Sequence, residues 1–300
     1  INAPSIFARP DLLATLTHAE EVIHYVDGMQ LPSLPPLDVV PQGELHVGVD
    51  LGTAYLVLVV LDEKNQPILG EYQFAQVVRD GLVVDFIGAV DRLREMKSSV
   101  ERRLGRELTH AASGYPPGVP AAERRATANV VEAVGMHCRN LIDEPSAANA
   151  LLKLQTGAIV DVGGGTTGIS ILQDGEVVYT ADEATGGTHF SLVIAGAQDI
   201  LFEEAEALKI DPAQQARLFP TIRPVMEKVA SIVSRHIAIY QEESGKTVKQ
   251  LVLVGGTTQF PRIADVIEQY TGIPTSVPER PLFVTPLGFA MHDIATEEVF

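Results

Sequence analysis

Two stretches of this chain carry the same strand–turn–strand pattern, and that repetition restricts the fold more than any other feature of the sequence. Leu45–Val49 is a short apolar run leading into Asp50-Leu51-Gly52-Thr53. Tyr55–Leu61 reads as a second strand, Asp62–Gln66 turns the chain, and a third strand follows near Ile68–Phe74. Gly157–Val160 leads in the same way into Asp161-Val162-Gly163-Gly164-Gly165-Thr166-Thr167. Ile169–Leu172 then returns, Asp174-Gly175 marks a hairpin turn, and Val177–Thr180 completes the set. Asp50 to Asp62 spans twelve positions and Asp161 to Asp174 thirteen, a difference assigned to extra glycine in the second loop. An internal repeat of this kind implies two similar lobes with a cleft between them.

Between and after the repeats, strands alternate with helices, as in an α/β protein. Asp85 is placed to cap a helix carrying Ile87, Val90, Leu93, Val100 and Leu104 on one side, stopped by Gly105. A strand at Leu108–Ser113 leads through Tyr115-Pro116-Pro117-Gly118 to a helix over Ala121–Val134. Strand Leu141–Asp143 enters Glu144-Pro145-Ser146-Ala147-Ala148, which opens another helix. Gly186-Gly187 precede a helix that Thr188 is placed to cap, and Leu251–Val254 ends in Gly255-Gly256-Thr257, with Pro261 near the start of the next helix. The front of the chain differs. Asp11–Val26 spaces Leu12, Leu16, Ala19, Ile23 and Val26 as one face of a helix. The proline-rich run from Leu31 through Pro32, Pro35, Pro36 and Pro41 reads as a stiff, extended linker.

Composition narrows the function classes. A net charge of −17 repels nucleic acid and anionic lipid surfaces, though backbone N–H groups can still build a local anion site. Tyr55–Leu61 is the longest apolar run, far too short for a membrane span, and no secretory leader is expected. The one cysteine, Cys138, rules out a disulfide framework and reads as structural. The eight histidines show no metal spacing.

Candidate chemistry gathers in the two Asp-x-Gly turns. Gly52 with Thr53 and Ala54, and Gly163, Gly164, Gly165, Thr166 and Thr167, allow sharp turns whose N–H groups form concave anion sites. Two such hairpins suit a polyphosphate. Asp50 and Asp161 would repel phosphate directly, but fit a hydrated Mg²⁺ between carboxylates and phosphates. Glu144, at a strand end between the repeats, is placed to orient or deprotonate an attacking water, or else serves as a first-turn helix acid. Gly186, Gly187, Gly255, Gly256 and Thr257 sit where strands pass into helices and backbone can lie against a flat ligand. Gly163, Gly165 and Gly168 match a dinucleotide fingerprint, but a strand follows instead of a helix; no P-loop motif is present.

Together these segments resemble the actin, sugar-kinase and DnaK-type superfamily. Asp50-Leu51-Gly52-Thr53 and Asp161–Thr167 look like its two phosphate motifs, and Leu253-Val254-Gly255-Gly256-Thr257-Thr258 like its adenosine motif. Glu144–Ala148 and Pro286-Leu287-Gly288-Phe289-Ala290 are similar to its connecting motifs. Val78–Phe86, Asp161–Ser170 and Tyr179–Gly187 resemble more closely the chaperone-like EutJ family of ethanolamine utilisation. The resemblance implies a two-lobed actin-like (ribonuclease-H-like) ATPase fold: residues 1–43 as helix and linker, 44–154 plus 283–300 as first lobe, 155–282 as second. It implies ATP with Mg²⁺, catalytic roles for Glu144, Asp50 and Asp161, and a cytoplasmic, slowly hydrolysing, chaperone-like protein. Its implied partner is ethanolamine ammonia-lyase or a microcompartment shell. A non-catalytic nucleotide sensor and an actin-like filament are the alternatives. Departing from the DnaK type, the interval Ala75–Val84 is short and holds no lysine.

Overall fold

The computed structural model describes residues 9–26, 35–79 and 82–295. They divide into two compact units: a central one, Lys153–Leu282, and an N-terminal one made of residues 9–152 and 283–295. Each is an α/β layer structure around its own core.

The N-terminal unit holds a six-stranded sheet. Its repeat segment is β2 (His46–Leu51), β3 (Tyr55–Leu61) and β4 (Pro67–Phe74), paired antiparallel in sequence. β7 (His110–Tyr115) and β8 (His137–Asp143) then add in parallel beside β2. The central unit repeats this order. β9 (Gly157–Val162), β10 (Thr167–Gln173) and β11 (Glu176–Glu183) are antiparallel neighbours, and β12 (Leu251–Val254) and β13 (Thr275–Ser276) extend the sheet in parallel beside β9. Counted from the first strand of each repeat, both sheets therefore share one five-strand order, third, second, first, fourth, fifth, and the N-terminal sheet carries one further strand at its outer edge. A two-stranded ribbon, β5 (Val78–Arg79) with β6 (Leu82–Val83), fills the interval after β4; Asp80 and Gly81 lie outside the described residues.

β3 reads as a continuous apolar run because both of its faces are covered. Leu56, Leu58 and Val60 join the core under α2 (Phe86–Leu104), while the alternate residues Val57, Val59 and Leu61 are equally buried. Val59 pairs with Gly48, and a Cβ at Gly48 would stand 2.3 Å from the carbonyl oxygen of Pro286 in α9 (Val284–Met291). That second face is therefore the seat of α9. Glycine is again required at Gly288, where a Cβ would come 2.0 Å from the carbonyl of Ala147 in α4 (Glu144–Leu152).

Several local expectations are corrected. The N-terminal helix, α1, runs Pro10–Val22 and stops short of Val26. Ile23–Tyr25 becomes β1, a parallel edge strand on β4, since β-branched and aromatic residues favour an extended chain once a partner strand is available. Leu12, Leu16 and Ala19 of α1 are buried against this unit. The proline-rich stretch through Leu34 lies outside the described residues, and the segment from Leu37 to Gly43 is tied down. Leu37 N–H donates to the carbonyl of Arg103 at 2.8 Å, and Arg106 Nη1 donates to the carbonyls of Pro41 and Gly43 at 2.9 Å each. Asp85 caps α2 by accepting from Gly88 N–H at 2.9 Å and Gly105 ends it in the left-handed region, but Ile87 is 74% exposed, so the buried stripe begins at Ala89. Strand and helix limits also move: β7 starts at His110, β8 at His137, and α3 covers Ala121–Ala133.

The central core lies between its sheet and two helices, α5 (Gly187–Gln198) and α7 (Pro212–Ser244), with α8 (Ile263–Thr271) beside them. Among the described residues no helix is long and apolar enough to cross a membrane.

Candidate functional site

Strand register places the two Asp-x-Gly turns in equivalent positions. Leu51 pairs with Leu56 and Val162 with Thr167, so each loop holds four residues, Gly52–Tyr55 and Gly163–Thr166. Each closes in the same way: Gly52 N–H donates to the carbonyl of Tyr55, and Gly163 N–H to that of Thr166, both at 3.0 Å. The extra residue of the second repeat is therefore not in this loop. It is Gln173, at the far end of β10: Leu61 and Leu172 both lie eleven places beyond their aspartate, and only then do the turns differ. The equivalence sets Thr53 opposite Gly164 rather than Thr166.

In the central unit the predicted residues meet directly. Thr257 Oγ1 donates to the carbonyl of Gly163 at 2.8 Å, while the N–H groups of Gly187 and Thr188 donate to the carbonyls of Gly163 and Gly164 at 2.9 and 2.7 Å. These bonds turn the loop carbonyls toward α5. They also use two of the amides at the α5 N-terminus, which Gly186, not Thr188, caps. Thr167 is fully buried and donates its hydroxyl to the carbonyl of Thr185 at 2.6 Å, so it holds the loop in place and presents nothing outward. Gly255 has φ +89°, and a Cβ there would stand 2.3 Å from Asp161 Oδ1; only glycine lets the chain leaving β12 pass this carboxylate. Gly256 and Thr257 continue into a 3₁₀ turn, Gly256–Gln259.

The same cluster contains a buried ion pair that the sequence did not single out. On α6 (Phe202–Ile210), Glu206 Oε2 accepts from Lys209 Nζ and from Ser191 Oγ, each at 2.6 Å. Lys209 Nζ also donates to the carbonyl of Gly187 at 3.2 Å. Glu206 is 6% exposed, and its Oε1 has no hydrogen-bond partner among the described residues. Burial pulls the Lys209 ammonium below the ordinary lysine range, opposed by the charge of Glu206. A Cβ at Gly187 would lie 2.3 Å from Thr257 Oγ1 and 3.4 Å from Lys209 Nζ, so glycine loop, threonine and ion pair form one assembly. Glu206 follows Glu203 and Glu204 in sequence, and only its burial distinguishes it.

In the N-terminal unit, Asp50 near the end of β2 and Glu144 just after β8 lie at the same edge of the sheet, since β2, β7 and β8 are parallel. One strand separates them, roughly 10 Å across. Gly52, Thr53 and Ala54 form the loop beside Asp50, and Ala54 accepts through its carbonyl from Ala75 N–H at 2.9 Å. Glu144 is the first residue of α4, and Asp143 Oδ1 accepts from Ser146 N–H at 3.0 Å. The neighbouring Asp143 therefore caps this helix, and Glu144 stands as the acid of its first turn, where a negative charge favours the helix dipole. Asp50 and Glu144 thus stand on one unit, and Asp161 with the Gly163, Gly186 and Gly255 segments on the other.

Each loop offers backbone N–H donors beside one carboxylate, the donor set expected for a phosphate accompanied by a cation that retains its water. The C-terminal edge of parallel strands is also where α/β sheets bind ligands.

Comparison with known proteins bears on the family and the fold. A family model described as type IV pilus assembly protein PilM matches residues 138–285, and one for MreB/Mbl protein matches residues 68–197. Ethanolamine utilization protein EutJ of Escherichia coli (strain K12) is 41% identical over 250 residues, covering 83% of this chain and 86% of that protein. A chaperone protein HscA homolog of Pseudomonas aeruginosa (strain LESB58) is 27% identical over 247 residues, covering 68% of this chain and 39% of its own length. The crystal structure of EutJ from Carboxydothermus hydrogenoformans superposes with a TM-score of 0.82 at 40% identity, covering 94% of this chain and 98% of that one. MreB 5 of Spiroplasma citri, bound to AMPPNP, shares the fold at a TM-score of 0.65 and 17% identity, covering 84% of this chain and 96% of its own. With its duplicated sheets built on the actin-like fold, the chain belongs to the family of the ethanolamine utilization protein EutJ.

Proposed function

We propose that this protein binds ATP with Mg²⁺, hydrolyses it slowly and thereby acts, chaperone-like, on a protein partner in ethanolamine utilisation. The observation that carries the reading is the assembly of Gly163, Gly187, Thr257, Glu206 and Lys209 beside Asp161. A buried carboxylate with one oxygen that has no partner among the described residues suits a ligand hydroxyl, as on a ribose, and the adjacent glycine turns suit phosphate and base. In this reading the N–H groups of Gly164, Gly165 and Thr166 donate to phosphate oxygens, and Gly255 and Gly256 lie against the base. Gly52, Thr53 and Ala54 supply the matching donors on the N-terminal unit. Asp50 and Asp161 accept from the water shell of Mg²⁺, which when bound neutralises phosphate charge. Glu144 orients the attacking water as general base.

The partner is proposed to be ethanolamine ammonia-lyase or a microcompartment shell protein, and the location cytoplasmic; the family assignment supports both and names neither. A second reading, a nucleotide sensor without turnover, is favoured by the lysine-free interval Ala75–Val84, whose described residues include the β5–β6 ribbon.

Mg-ATP should raise the unfolding temperature of the purified protein, because a ligand bound only by the folded state stabilises it by mass action. Glu144→Gln should keep ATP affinity within severalfold while phosphate release falls on the order of a hundredfold. Melting curves unmoved by millimolar Mg-ATP and Mg-ADP, with no heat on titration, would refute the nucleotide reading. Binding without any phosphate release would hand the function to the sensor.

A further inference from the structure

The chain crosses from the N-terminal unit to the central unit after Leu152, the last residue of α4. The final carbonyls of a helix lack intrahelical donors and carry the negative end of its dipole. Here the carbonyls of Leu151 and Leu152 both accept from Nη1 of Arg9, the first at 3.2 Å. Arg9 directly precedes α1, more than 140 positions away in sequence.

The other edge of the same guanidinium is held as well. Arg9 Nε and Nη2 donate to the two carboxylate oxygens of Asp11, in the first turn of α1. That partnership holds the Asp11 carboxyl below the usual carboxylate range. Guanidinium donors lie in one rigid plane, so pairing one edge with Asp11 aims the opposite edge at α4. α1 in turn is anchored by buried Leu12, Leu16 and Ala19, and by β1 pairing with β4.

At the point of exit Lys153 takes φ 53°, the left-handed conformation that ends a helix. Midway along, α4 is locked against α9 by the close approach of Gly288 to the Ala147 carbonyl. α9 lies where the chain returns after Leu282. Both crossings between units therefore adjoin helices that touch each other, and the exit end of one is gripped from the front of the chain.

We propose that Arg9 is a positioning residue that braces the exit of α4, so that the docked α1 sets how freely the Leu152–Lys153 crossover moves and thereby tunes the response to nucleotide. The final clause rests on the nucleotide reading above; the brace does not.

The test is hydrogen exchange on the full chain, comparing wild type, Arg9→Ala and Arg9→Lys with and without Mg-ATP, alongside melting curves and Mg-ATP titrations. In Arg9→Ala, amides of residues 150–156 should exchange on the order of tenfold faster, because losing two charge-assisted bonds frees the helix end locally. Amides of β2 and β3 should be unchanged, and Arg9→Lys should recover part of the protection. Affinity for Mg-ATP should shift about severalfold in Arg9→Ala with stoichiometry retained. Unchanged exchange over residues 150–156 overturns the brace. So does acceleration spread evenly through α1, β1 and β4, which would make Arg9 only an anchor for α1. Equal Mg-ATP affinity in all three proteins overturns the coupling to nucleotide and leaves the exchange result to decide the brace. A wild type that ignores Mg-ATP removes the coupling together with the nucleotide reading, and the exchange comparison still stands.

Discussion

Replacing Lys209 with methionine tests the most consequential feature of the central unit. The substitution keeps most of the side-chain volume and removes the ammonium from Glu206, whose residue is 6% exposed. Glu206 Oε2 would retain only the Ser191 hydroxyl at 2.6 Å, and Oε1 already lacks a partner among the described residues. Breaking one side of a buried ion pair typically costs about 3–5 kcal/mol, because an uncompensated charge is left behind. The Lys209 side chain keeps 12% exposure and Ser191 still solvates one oxygen, so the lower end applies, about 3 kcal/mol. For a unit of this size that is a melting midpoint lowered by roughly 10 °C without nucleotide. Glu206→Gln alone should also destabilise, leaving a buried cation without its counter-charge. The double variant should lose clearly less than the sum of the two, with a coupling of about 2 kcal/mol. Urea unfolding of the four proteins, followed by circular dichroism, measures this cycle. Strict additivity, or single variants all within about 0.5 kcal/mol of wild type, would show that water reaches the pair and that its burial carries no such cost.

Two further outcomes are expected in other regions. Burial, with the charges of Glu132 and Asp293 nearby, pushes the Cys138 thiol up to about 11, so alkylation at pH 8 should be on the order of a hundredfold slower than for an ordinary cysteine. Because the reactive thiolate is the disfavoured form, the rate should climb with each rise in pH toward 11; a fast reaction whose rate levels off near pH 9 would mean an ordinary exposed thiol. Leu16, 1% exposed on the buried face of α1, should not tolerate aspartate: Leu16→Asp should cost at least about 3 kcal/mol in the isolated protein, by loss of apolar packing and burial of a charge. An unchanged melting curve would instead mean that α1 is free for another surface.

The duplicated hairpins were legible in the sequence because a strand pair and its turn are local. An apolar strand, an Asp-x-Gly turn and a return strand occupy fewer than twenty-five residues, and nothing distant is needed to close Gly52 on Tyr55 or Gly163 on Thr166. Asp85 and Gly105 likewise marked the ends of α2 through contacts within a single turn. What escaped depends on partners far along the chain. Ile23–Tyr25 continues a helical pattern until β4, nearly fifty residues later, offers an edge to pair with. Thr167 has the hydroxyl of a ligand donor, yet that hydroxyl is spent on Thr185, two residues past the end of the neighbouring strand. Glu206 carries the same side chain as Glu203 and Glu204, and Arg9 resembles any surface arginine. Charge and hydrogen-bonding capacity are properties of a residue type, but desolvation and the choice of partner exist only once distant segments have packed. The sequence by itself therefore determined the repeated unit and the turn chemistry, and the tertiary structure decided which hydroxyl, carboxylate and guanidinium those turns and helix ends would engage.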